Sequence, residues 1–150
     1  MKLASALSER ADIQRRLSEL SNRLANNAKV QEGDSPAEDP QALLSEMDSM
    51  IARLETLIYR INMTNSKAGS DGVSMTMLLA RRDCMKKRLA MLRGFLDCAS
   101  SKVERYSRAE IAVRSTVDVA ALQKQADGIS KQLRELDEKI QELNWTTELL

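Results

Sequence analysis

The chain has 150 residues, 23 of them basic and 22 acidic, with no histidine, one tryptophan and only 3% aromatics. The lack of histidine excludes the usual general base, the Ser-His-Asp and Cys-His arrangements and every histidine-containing metal site. A net charge of +1 excludes a whole-molecule field for nucleic acid or acidic lipid, and five Gly with two Pro leave room only for few, long elements.

The first element is a helix whose seam runs through Leu3, Ala6, Ile13, Leu17, Leu20 and Leu24, interrupted by Arg10. Its opening apolar stretch, LASAL, is broken by SERAD, well short of the roughly 7–15 apolar residues of a secretion signal. No segment approaches the ~20 apolar residues of a membrane span, so a cytoplasmic protein is expected. The second helix carries Leu43, Met47, Met50, Leu54, Leu57 and Ile61. Asp39 is placed to cap it, with Pro40 at the first helical position, where the missing N–H costs nothing. NMTNSKAGSDG (62–72) has no apolar period and is expected to end it.

The third helix carries Leu78, Met85, Leu89, Leu92, Leu96 and Ala99, with Arg82 on the seam and Ser74 or Thr76 as cap. IAVRSTVDV (111–119) follows, the one run that alternates like a strand. The fourth helix has the most regular repeat: Val119, Leu122, Ala126, Ile129, Leu133, Leu136, Ile140 and Leu143, with Asp118 as cap. Four helices of roughly 24 to 27 residues predict a mainly all-α single domain over 1–150, an antiparallel up-down-up-down bundle. In that path the first and third connections share one end. The run at 111–117 is then expected to form a short β-ribbon there with AKVQEG (28–33); since a lone two-stranded ribbon is marginal in water, it either packs its Ile/Val face on the bundle end or pairs with a second copy.

Candidate chemistry is thin. AGSDG lacks the spacing and the Lys of a phosphate loop, and RELDEKIQE (134–142) reads as a solvated helix face. Cys84 and Cys98 lie about 21 Å apart on one helix, too far for a mutual disulfide, and read as structural thiols in a reducing compartment. Catalytic residues, a metal and a cofactor are therefore not expected, and the chain does not read as an enzyme.

Charge is unevenly placed. Residues 30–52 hold six acids and no base, while 81–108 hold nine bases and three acids. The expectation is that the acidic and basic segments face each other, within or between chains. Nucleic-acid binding by the third helix is the alternative. Two further heptad stripes stand beside the seams: Leu44, Ile51 and Ile58 on the second helix, and Met77, Cys84, Met91 and Cys98 on the third. Leu44, Ile51, Ile58, Met77, Cys84, Met91, Ile111, Val113 and Trp145 are the candidate interface residues of a homo-oligomer. Trp145 falls on the far side of the fourth seam; its ring is expected either to fold back over the bundle end or to be covered by another subunit.

RYSRAEI (105–111), TVDVAALQKQAD (116–127) and IQELNWTTEL (140–149), with NAKVQEG and AEDP upstream, resemble a family of small bacterial proteins labelled septicolysin-like. The resemblance implies a mostly helical bacterial protein without established enzymatic activity, and the label implies a membrane-active, pore-forming cytolysin as a further alternative. The residues themselves point to a self-assembling cytoplasmic helical bundle that acts as a structural or interaction module.

Overall fold

The structure is a computed structural model that describes residues 1–101 and 112–150. It is mainly helical: α1 spans Leu3–Asn26, α2 Pro40–Lys67, α3 Met75–Ser100 and α4 Val119–Thr146, with β1 (Gly69–Ser70) and β2 (Val73–Ser74) between α2 and α3. The chain divides into two compact units, one of 1–74 with 143–150, the other of 75–142.

In the first unit α1 packs on α2, and the direction is antiparallel. Glu9 near the start of α1 meets Arg53 in the middle of α2, while Arg23 at the end of α1 meets Glu38 and Glu46 around the start of α2. Leu3, Ala6, Ile13 and Leu20 form the buried stripe of α1, and Leu43, Leu57, Ile61 and Thr64 that of α2. Both follow the 3–4 spacing read from the sequence, because residues so spaced share one face of a helix. The Asp39 cap is real: its carboxylate accepts from Gln41 N at 3.0 Å, with Pro40 directly after it.

In the second unit α3 and α4 are also antiparallel. Arg82 reaches Asp137 at 4.0 Å, and Arg93 donates to Ser130 Oγ at 2.9 Å. Leu89, Leu96, Ala126 and Ile129 form its buried cluster, with Met85, Leu92, Val119, Leu122 and Leu133 packed around it. Asp118 caps α4, its Oδ1 accepting from Ala121 N at 3.0 Å.

Two expectations are corrected. The ribbon is not formed by 28–33 with 111–117: residues 28–33 and 112–117 are not strands, Val113 is exposed, and Ile111 lies outside the described residues. The small antiparallel sheet sits in the second connection, where Gly69 pairs with Ser74 and Ser70 with Val73. Its cause is local. Asp71 and Gly72 both take positive φ, 53° and 76°, the backbone of a two-residue hairpin turn whose twist matches that of paired strands. Gly69 is required as well, since a Cβ there would lie 2.0 Å from the Val73 carbonyl oxygen. Finally, α2 does not end at Ile61 but continues to Lys67. Buried Thr64 explains this: its Oγ1 donates to Arg60 O at 2.8 Å and accepts from Leu150 N at 3.0 Å, tying the last turns of α2 to the chain end.

Candidate functional site

The strongest features are surfaces. On α2, Leu44, Ile51 and Ile58 stand exposed at one heptad position, Ile51 at 48%. Beside them Ile51, Leu54, Glu55, Ile58 and Tyr59 line an open concavity of about 460 Å³. The cause is a helix with two apolar faces, of which α1 covers only one. On α3, Met77, Cys84 and Met91 are exposed, Met91 at 77%, and Phe95 joins them one turn beyond Met91. Both cysteines are free and exposed.

The chain end is held differently from expectation. The α4 helix continues through Trp145, and the ring is 66% exposed, so it does not fold back as a cap. Leu149 is the residue buried there, at 7%. The reason is the backbone. Leu3 N donates to Thr147 O at 2.9 Å and Leu149 N to Met1 O at 2.8 Å. This short bridge aligns 147–149 against the start of the chain and turns Leu149 inward. Glu148, pointing outward, pairs with the Met1 amine at 3.1 Å and Lys2 at 2.7 Å. Hydrogen bonds from Lys2 and the amine hold its carboxyl below the usual glutamate range. Arg60 Nε donates to Leu150 O at 2.5 Å and completes the latch. Periodicity did not show this latch, because its hydrogen bonds are made by backbone of residues nearly a chain length apart.

Within the first unit, two acids of the acidic segment have a partner on α1. Glu38 and Glu46 are held by Arg23 of α1, at 2.5 and 3.4 Å. Arg23 approaches Glu38 with its Nε as well, so the contact is a fork. That hydrogen bond lowers the Glu38 pKa and raises that of Arg23. Asn27 braces the same corner, donating from Nδ2 to Arg23 O and accepting from Glu38 N, both at 2.9 Å. Glu9 and Arg53 make a second fork, at 2.7 and 2.9 Å, and Glu9 is lowered by the hydrogen bond. Of the two arginines on the seams, Arg82 has Asp83 and Asp137. Arg10 has a buried Nε with no hydrogen-bond partner among the described residues.

Among the described residues no cluster of three or more Cys, Asp or Glu is placed to hold a metal ion. None of their helices is long and apolar enough to cross a membrane.

Fold and surface thus define a helical protein of two antiparallel helix pairs whose long middle helices carry exposed apolar heptads. The chain belongs to a family of unknown function, DUF6847, whose model matches residues 10–149. It is also similar, over 100% of its length, to a solved structure described as a functionally unknown conserved protein from Corynebacterium diphtheriae. The identity is 43%, the TM-score 0.90, and 99% of that chain is covered. No curated protein matches. These findings correct the septicolysin-like assignment: the family shown is DUF6847, over residues 10–149, and its description carries no cytolysin activity. The pore-forming reading loses the label that suggested it. The biochemical role is unknown.

Proposed function

We propose that this protein is a self-associating helical module, a homo-oligomer that serves as a scaffold or interaction unit in the cytoplasm and not as an enzyme. One observation carries the reading: α2 and α3 each expose an apolar heptad stripe in the single chain. A helix keeps a strict seven-residue apolar repeat on its outside when another helix lies along it, because that repeat follows a supercoiled partner. Contiguous exposed apolar surface of this kind marks an interaction site.

An up-down-up-down bundle forming one domain over 1–150 belongs to the same proposal and is supported by the two antiparallel pairs. Nucleic-acid binding is the weaker reading. The bases of α3 stand on both sides of its apolar stripe, Arg81 and Arg88 on one flank and Lys87 on the other, instead of forming one ridge, and Arg82 is engaged by carboxylates.

Light scattering on the full chain at tens of micromolar tests the proposal. A mass of at least twice the 16.8 kDa of one chain is expected; a monomer mass throughout overturns it.

A further inference from the structure

The two exposed stripes share one register with opposite charge. On α2 the order is Leu44, Asp48, Ile51, Glu55, Ile58: an apolar residue every seven positions and an acid four residues after each of the first two. On α3 it is Met77, Arg81, Cys84, Arg88, Met91, the same spacing with arginine in the place of acid. All ten side chains are exposed. Residues four apart are neighbours on a helix, so Asp48 and Glu55 border the α2 stripe on one flank, and Glu55 lines its concavity. Arg81 and Arg88 border the α3 stripe on the corresponding flank. Among the described residues these four charged side chains have no ion-pair partner within the chain. Two acids of the 30–52 segment behave differently: Glu38 and Glu46 are taken up by Arg23.

Resting on the self-association proposed above, we infer that the α2 stripe of one copy docks antiparallel along the α3 stripe of a second copy. Charge decides both the partner and the direction. Paired α2 stripes would set acid against acid, and paired α3 stripes arginine against arginine; only the mixed pair joins opposite signs, and flanking charges of this kind select helix partners. In a parallel pair the same flank of the two helices lies on opposite sides of the seam. In an antiparallel pair, related by a half-turn perpendicular to the axes, the same flank faces itself. Both stripes carry charge on the same flank, so antiparallel docking brings the charges together. With Ile51 opposite Cys84, Asp48 falls opposite Arg88, Glu55 opposite Arg81, and Leu44 and Ile58 opposite Met91 and Met77. The contact is heterologous, so it closes into a ring or extends into a chain of subunits.

The test uses the full chain with D48K/E55K and R81E/R88E, made separately and together. Circular dichroism confirms that helicity is kept, as expected for exposed positions. Each double variant alone should dissociate at a concentration at least about tenfold higher than the parent. An equimolar mixture of the two, or all four changes in one chain, should restore the mass. Ile51→Cys should form a disulfide with Cys84 of another chain on oxidation, and this cross-link should be lost with Cys84→Ala. A parent that is monomeric throughout overturns self-association itself. A parent oligomer whose mass ignores the charge reversals, or an Ile51→Cys cross-link confined within one chain, overturns the α2–α3 docking and leaves self-association standing.

Discussion

The two helix pairs are built from the same heptad grammar and held in different ways. The α1–α2 unit adds polar fastenings to its apolar face. These are two arginine–glutamate forks, the Asn27 brace, and the latch that ties the chain end to Met1, Lys2, Arg60 and Thr64. In the α3–α4 unit the apolar seam is accompanied by Arg82–Asp137 and Arg93–Ser130. Core residues are also closed off differently. Leu57 is 0% exposed, while Leu89 and Ile129 remain at 6%. A seam is enough to pair two helices; the polar fastenings of the first unit determine where the chain ends lie.

The largest effect that would sharpen this contrast comes from the cores. Leu57→Ala should cost about 4–5 kcal/mol, because a sealed site leaves a cavity. Leu89→Ala should cost about 2–3 kcal/mol, because water and neighbours relax into an edge site. Urea denaturation monitored by circular dichroism measures both, and equal costs would break the comparison.

Asn27→Ala should cost about 1–3 kcal/mol, since Glu38 N loses its acceptor at a half-buried corner and the end of α1 loses a carbonyl partner. Amide hydrogen exchange should locate the loss in α1 and the start of α2, leaving α3 protected.

Acid should loosen the first unit. Glu9, Glu38 and Glu148 all have native pKa values lowered from the ordinary 4.5, chiefly by hydrogen bonds from Arg53, Arg23 and Lys2. A carboxylate lowered on folding contributes stability that is full above its unfolded value and is lost as pH falls through the native one. The contribution should therefore hold from neutral pH down to about 4.5 and fade below it. All three carboxylates are at least partly open to solvent, so the effect is small and screened by salt. Exchange in α1 and α2 measured on descending pH checks the sign.

The smallest effect belongs to the thiols. Cys84→Ala with Cys98→Ala, measured at a dilution where the chain is monomeric, should change stability by no more than about 0.5 kcal/mol per site, because both are exposed in the single chain. A larger loss confined to concentrations where the chain self-associates would mark cover of the α3 stripe.

The helices were legible in the residues. Apolar spacing of 3 and 4 places side chains on one face whatever the neighbours are. Asp39 with Pro40, and Asp118, start their helices by bonds made within one turn. The stripes on α2 and α3 were legible for the same reason. The hairpin turn was written in the chain as Asp71-Gly72, but the longer alternation at 111–117 drew the strand assignment. Alternation records which side chains could share a face, whereas a ribbon needs a turn that returns the chain in register.

Tertiary structure alone decided that Leu149 and not Trp145 is buried, that α2 runs on to Lys67, and that Arg23 of α1, not a base of α3, takes up Glu38 and Glu46. Each of these depends on partners far apart in the chain. Periodicity reports the faces of one element, but a hydrogen bond from Leu150 to Thr64 or from Leu3 to Thr147 exists only once packing has brought the two ends together.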